Sequence, residues 1–159
     1  MSDLDSLKTS QWVYNPRVTD VGGHTMSNVD IIQKLKSFDV LPTPQRVEVA
    51  SVLLNRPQHV SADQIIARLK ASGSKVSKAT VYNTLHLFSA KGLVKELNVD
   101  PSRKFYDSTT HAHHHFYHVD SGELSDIDEN EINIMGLPPL PEGTETESVE
   151  VLIRIRDKR

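Results

Sequence analysis

Residues 77–107 read SKATVYNTLHLFSAKGLVKELNVDPSRKFYD, and this stretch decides the fold. Ser77 is a good helix N-cap, and Gly92 is a typical helix stop. Between them the apolar side chains recur at helical spacing, at Val81, Leu85 and Phe88. Residues 93–99 and 103–107 then predict two strands of a hairpin around Asp100-Pro101-Ser102. A helix followed by a basic hairpin is typical of a winged helix-turn-helix.

Polar caps predict three more helices before this stretch. Ser27 begins a helix that runs to about Phe38, and Thr43 with Pro44 begins a second one. The sequence Ser61-Ala62-Asp63-Gln64 is a capping box that begins a third. His59 then falls in the loop just before this third helix.

The C-terminal third of the chain predicts a different, smaller domain. Residues 113–119 and 123–127 flank a Gly-containing turn and predict a second hairpin, followed by a short helix over 129–135. Residues 148–155 alternate apolar and polar side chains, which predicts a strand with one buried face. So few strands do not make a self-sufficient sheet, so we expect a second copy of the chain to cover that face.

The predicted fold class is therefore α+β, with a winged-helix domain and a small α/β dimerisation domain. We assign residues 1–25 to a flexible arm, 26–107 to the winged helix, and 108–159 to dimerisation and metal sensing. Residues 26–104 carry 12 Lys/Arg against 6 Asp/Glu, whereas residues 105–159 carry 4 against 12. A basic segment favours a polyanion such as double-stranded DNA, although solvated surface on both halves is the simpler alternative.

Composition excludes several classes of protein. The chain has no cysteine, which excludes disulfides, thiolate metal sites and thiol redox sensing. It has no apolar run long enough to span a bilayer and no apolar segment near its start. We therefore expect a cytoplasmic protein with no membrane partner.

The helix that begins after Ser77 is the candidate recognition helix. Its first two turns hold side chains of the kinds that contact phosphates and base edges. The candidates for DNA binding are Ser77, Lys78, Thr80, Tyr82 and Asn83, together with Arg46 at the start of an earlier helix. An ordinary surface helix is the alternative interpretation of the same residues.

Five of the eight histidines lie between His111 and His118. Alternation along a strand places His113 and His115 on one face, where two imidazoles can hold one ion. Asp107, Asp126 and His59 are further ligands by position. Nitrogen and carboxylate ligands suit Zn²⁺, Fe²⁺ or Mn²⁺. Since bound imidazoles must be neutral, we expect metal affinity to fall below about pH 6.5.

Three segments give the chain a family resemblance. The segments 41–46 (LPTPQR), 59–63 (HVSAD) and 78–85 (KATVYNTL) resemble the ferric uptake regulator (Fur) family. The similarity covers nearly the whole chain after residue 25. It implies a winged helix, an α/β dimerisation domain and metal-gated binding to AT-rich operators. It also implies that the regulatory site of the peroxide-sensing (PerR) branch falls on His59, Asp107, His113, His115 and Asp126.

The chain also departs from the family pattern. Many members hold a structural zinc with two Cys-x-x-Cys pairs; here His118 and Ser121 replace the first pair and the second is missing. The end of the chain and the segment His113–Tyr117 resemble the iron response regulator (Irr) branch, so a haem response is an alternative. A second metal site or haem site is a further candidate, with His111, His114 and His118 as its ligands.

Three functions follow from these patterns. The preferred one is a dimeric transcriptional regulator in which metal binding couples the two domains. A metal-dependent enzyme is less favoured, because no Glu lies in a motif such as His-Glu-x-x-His. A metal-independent DNA-binding dimer whose histidines store metal is the third.

Overall fold

The computed structural model describes residues 26–159, so the arm expected over residues 1–25 lies outside the described residues. Four helices lie in the N-terminal half of the fold, with one short strand between the second and the third. They are α1 (Asn28–Ser37), α2 (Pro44–Leu54), α3 (Ala62–Ala71) and α4 (Lys78–Ala90). Six strands complete it: β1 (His59–Ser61), β2 (Lys95–Asp100), β3 (Arg103–Asp107), β4 (His114–His118), β5 (Glu123–Ile127) and β6 (Leu152–Ile155). Within residues 26–159, no helix is long and apolar enough to cross a lipid bilayer.

The predicted N-caps are confirmed in all four helices. Ser27 and Ser61 each form a complete capping box, with Asp30 and Gln64 respectively. The Thr43 side chain accepts a hydrogen bond from the Arg46 amide of α2, and Pro44 lies in the first turn of that helix. Ser77 caps α4 in the same way. Each cap satisfies amide groups that a helix N-terminus otherwise leaves without partners.

One main core joins the four helices to the first sheet. Each helix buries one stripe, and the fully buried side chains include Leu35, Leu53, Ile65, Leu85 and Phe88. Tyr106 of β3 closes the core from the sheet side. The apolar spacing in α4 is confirmed, because Val81, Leu85 and Phe88 are all buried.

The first sheet has the strand order β1-β3-β2 and is antiparallel throughout. The hairpin β2–β3 is the wing, and with the helices it makes the winged helix that the sequence predicts. The loop assignment for His59 is wrong, because this residue begins β1 and pairs with Asp107. A three-residue strand is too short to produce an alternating pattern, so the sequence carries no signal for it.

The second sheet has the order β5-β4-β6, with β4 antiparallel to β5 and parallel to β6. The helix expected over residues 129–135 is wrong beyond a single 3-10 turn at Glu129–Glu131. The strand expected over 148–155 shortens to Leu152–Ile155, and all four of its residues are exposed in the single chain. The single chain leaves the predicted apolar face uncovered, and its cover by a second copy of the chain stays a prediction.

The wing and the second sheet pack against each other through a smaller core. Val99 and Phe105 of the wing are buried against Tyr117 of β4 and Leu124 of β5, with Leu97 beside them. This cluster brings the two halves of the chain into direct apolar contact.

Candidate functional site

Five side chains converge where the two sheets meet. Each offers one ligand atom, and these atoms all lie within 4.8 Å of one another: His59, Asp107, His113, His115 and Asp126. Strand register explains why residues distant in sequence meet here. His59 pairs with Asp107 in the first sheet, and His115 pairs with Asp126 in the second. The structure thus brings together all five residues that the sequence suggested as ligands.

Two carboxylate oxygens face three imidazole nitrogens. Asp107 Oδ2 lies 2.9 Å from His113 Nε2, 3.3 Å from His115 Nε2 and 3.4 Å from His59 Nε2. Asp126 Oδ1 lies 2.8, 3.3 and 3.7 Å from the Nε2 atoms of His59, His113 and His115. One shared centre, rather than separate pairs, is the simplest description of these distances.

The orientation of the rings fits a cation at that centre. His59 Nε2 and His113 Nε2 are buried, and neither forms a hydrogen bond of acceptable geometry despite the nearby carboxylates. Buried polar atoms are normally hydrogen-bonded, so two that are not point to a missing partner. Mixed imidazole and carboxylate donors are ligands that Zn²⁺, Fe²⁺ and Mn²⁺ accept.

Neighbouring backbone groups orient two of the ligands. His113 Nδ1 lies 2.8 Å from the His111 carbonyl, which can only accept, so Nδ1 carries the proton. In the neutral ring this leaves a lone pair on Nε2, directed into the site. The Thr109 amide donates to Asp107 Oδ1 at 2.8 Å, while Oδ2 faces the histidines. Such outer contacts are typical of metal sites.

The charges of the site shift its pKa values strongly. Burial by itself lowers the pKa of His59, but the nearby carboxylates of Asp107 and Asp126 outweigh it and raise that pKa to about 9. The same balance raises the pKa of His113 to about 10. Burial raises the pKa of both aspartates, but their contacts with the histidines prevail and hold both well below the usual range. Without a cation, protons on the histidines therefore balance the carboxylates.

The histidines suggested for a second site are placed apart. His111 is exposed, its ring centroid 5.4 Å from that of His113. His114 is buried, and its Nδ1 accepts the Val151 amide at 3.2 Å. His118 Nε2 lies 3.1 Å from Asp157. Among residues 26–159, His111 and His114 belong to no cluster of close metal-ligating atoms, whereas His118 lies in one with Asp120 and Asp157.

The sequence did not suggest the grouping of His118 with Asp157. The two residues lie 39 positions apart, and the parallel pairing of β4 with β6 brings them together. The Ser121 amide lies 3.3 Å from His118 Nδ1, so that nitrogen accepts and Nε2 carries the proton toward Asp157. Both ring nitrogens of His118 then take part in hydrogen bonds, and Nε2 has no lone pair left for an ion.

The candidate DNA-binding residues lie at the start of α4. Lys78 and Asn83 are exposed, and Tyr82 is 42% exposed with the Lys78 ammonium 5.9 Å from its ring centroid. The hydroxyl groups of Ser77 and Thr80 already have a partner, because they bond to each other at 2.9 Å within the helix cap.

Tyr82 also borders a cleft between α4 and the wing, together with His86, Arg103 and Lys104. Arg46, at the start of α2, donates to the Leu41 carbonyl at 3.0 Å. These observations show where the candidate residues lie. Their role in DNA binding stays a prediction.

Known proteins resemble this chain in sequence and in fold. The model of the ferric uptake regulator family matches residues 39–153. The peroxide-responsive repressor PerR of Staphylococcus aureus is 33% identical over 102 residues, which cover 64% of this chain and 69% of that protein.

Two solved structures resemble it in fold. The ferric uptake regulator of Pseudomonas aeruginosa, solved with manganese, has a TM-score of 0.63 and 27% identity, covering 80% of this chain and 97% of its own. The regulator of Francisella tularensis, solved with iron, has a TM-score of 0.59 and 24% identity, covering 74% and 91%. These relatives are named as regulators and a repressor, not as enzymes.

Proposed function

The chain belongs to the ferric uptake regulator family, whose members are metal-responsive transcriptional regulators, and we propose that metal binding at its five-residue site controls its binding to double-stranded DNA. The observation that carries this proposal is the composition of the site. His59 and Asp107 come from the sheet of the winged helix, whereas His113, His115 and Asp126 come from the C-terminal half.

These residues would hold one divalent cation, whose charge would replace the protons that the histidines otherwise carry. His59 and Asp107 then fix the winged helix against β4 and β5. In a homodimer this fixes the spacing of the two α4 helices, which must match the spacing of half-sites on the duplex. A cation shifts the population toward this arrangement only by its differential affinity for it. A coupling of roughly 1–3 kcal/mol changes DNA affinity about 5- to 150-fold.

The identity of the metal, the operator and the cell compartment belong to the same proposal. Fe²⁺, Mn²⁺ and Zn²⁺ all suit the donor set. An AT-rich operator, cytoplasmic location and dimerisation through residues 108–159 are the expectations that go with it. A haem response stays a prediction. In the described part of the chain, His111, His114 and His118 do not lie together in one cluster of metal-ligating atoms.

The experiment compares metal binding and DNA binding in one variant. His59→Ala keeps four of the five ligands, so it should retain measurable Mn²⁺ binding yet lose most of the metal-dependent gain in DNA affinity. Calorimetry measures the first, and fluorescence anisotropy with a duplex selected by the wild-type chain from a random pool measures the second. Ser125→Ala is the matched control, because Ser125 is the exposed neighbour of Asp126 on β5.

Retention of the full Mn²⁺-dependent gain by His59→Ala would reject the coupling mechanism. Equal DNA affinity of the wild-type chain with Mn²⁺ and with chelator would reject metal control altogether. In that case the metal-independent DNA-binding dimer becomes the better description.

A further inference from the structure

We infer that Arg154, on β6, positions the wing against the C-terminal sheet and so supports DNA binding from a residue outside both the metal site and α4. The inference rests on the proposed DNA-binding function. It starts from an irregularity in the wing and from the contacts that the C-terminal segment makes with it.

The wing contains a β-bulge. Its register shifts between Asn98 and Asp100, which leaves Val99 without a register partner on β3. A bulge disrupts the ladder locally and leaves the extra residue unpaired. Val99 is only 2% exposed, so its backbone carbonyl needs a partner within the protein. The guanidinium of Arg154 donates a hydrogen bond to this carbonyl through Nη2.

The second sheet holds Arg154 in place for this contact. Arg154 is the register partner of Tyr117 in the parallel pairing of β6 with β4. Its guanidinium carbon lies 5.6 Å from the Tyr117 ring centroid, within the range of a cation–π interaction. Tyr117 is itself buried against Val99 in the smaller core. Arg154 therefore bridges the bulge of the wing and the central strand of the other sheet.

Two further contacts lie on either side of this one. Lys95, the first residue of β2, lies 3.1 Å from Glu150 just before β6, a partly exposed pair that contributes little energy alone. At the start of β3, Arg103 lies against the β4–β5 turn: a Cβ on Gly122 would be 2.8 Å from its Nη1. The wing thus meets the C-terminal half at both ends of β2 and at the start of β3.

These contacts involve none of the five candidate metal ligands. The orientation of the wing is therefore set partly by β6 and partly by the metal site. Loss of Arg154 should loosen the wing and weaken DNA binding while all five candidate ligands remain and metal still binds.

The test uses the full chain loaded with Mn²⁺. Arg154→Met keeps the apolar stem and removes the donor, so DNA affinity should fall about tenfold, the size expected for one charge-assisted hydrogen bond. Hydrogen exchange of the peptide covering residues 95–107 should become faster, while the chain still binds one Mn²⁺ at the five-residue site. Arg154→Lys, which keeps one charged donor, should recover part of both losses. Arg156→Met is the charge-matched control, because Arg156 forms no hydrogen bond or ion pair with the wing in the described region.

The outcomes separate this inference from the function it rests on. The inference is overturned if Arg154→Met shows the same hydrogen exchange in the wing and the same DNA affinity as the wild-type chain. It is also overturned if Arg154→Lys recovers neither property relative to Arg154→Met. A wild-type chain that binds no duplex in any metal state would refute the proposed function. In that case wing exchange in the Arg154 variants still decides whether this residue positions the hairpin.

Discussion

Asp107 is the most enclosed charge of the site, with no exposed side-chain surface. Its Oδ2 faces three imidazoles within 3.4 Å, while Oδ1 is held by the Thr109 amide. A buried carboxylate without positive charge beside it is costly, so the site must hold either protons or a cation. Exchange between these two states links metal binding to pH.

Metal affinity should rise with pH up to about 9–10. The metal-free pKa values of His59 and His113 are about 9 and about 10, so both rings are protonated at pH 7 and each must lose its proton to bind an ion. This moves the pH window above the expectation of about 6.5 that unperturbed histidines give. Calorimetry with Mn²⁺ at pH 7.5, in buffers of different ionisation enthalpy, should detect proton release on binding.

A Mn²⁺ affinity that is flat between pH 7 and 9, with no proton release, would contradict this prediction. Asp126→Asn removes one of the two carboxylates that raise both pKa values. It should therefore shift the pH dependence downward as well as weaken binding.

Local signals made the helices predictable from the sequence. Caps such as Ser61 with Gln64 involve residues three apart, so the sequence shows them directly. The pairing of His59 with Asp107 and of Tyr117 with Arg154 depends on contacts between distant segments. Alternation predicted that His113 and His115 share a face, and their rings do lie 4.4 Å apart. The other three ligands were suggested only by their position along the chain, and the family resemblance supported them.

The helices α2 and α4 should contribute differently to DNA binding. Arg46→Ala removes a charge at the start of α2 and should weaken binding to every duplex, lowering the salt slope by about one unit per lost phosphate contact. Tyr82→Ala, on the exposed face of α4, should mainly reduce the preference for the selected duplex over random DNA. Anisotropy titrations at several salt concentrations measure both effects. Equal loss on both duplexes for Tyr82→Ala would exclude a role in reading bases.

The whole molecule leaves apolar side chains exposed along its C-terminal segment. Leu152, Ile153 and Ile155 of β6 are 36–38% exposed, and Val149 before them is 38% exposed. Exposed apolar patches of this kind often mark protein interfaces. They give a physical basis for the dimer that we propose.

The dimer should persist in chelator, because the chain has no cysteine to hold a structural zinc and its contacts must be apolar. Sedimentation at micromolar concentration in EDTA should show a dimer for the wild-type chain. Ile153→Asp should shift it toward monomer, whereas Glu145→Gln, an exposed change outside the strand, should not. A wild-type monomer in EDTA would refute apolar dimerisation.

The position of β6 after the ligand-bearing segments has a consequence for biosynthesis. All five candidate ligands lie between residues 59 and 126, whereas Arg154 follows them in the sequence. Chains emerge from the ribosome N-terminus first, at about 5–20 residues per second. The segments that carry the ligands therefore leave the ribosome before β6 can pair with β4. A nascent chain can therefore meet its metal before its wing is anchored, and we expect full DNA affinity only after β6 has emerged and paired with β4.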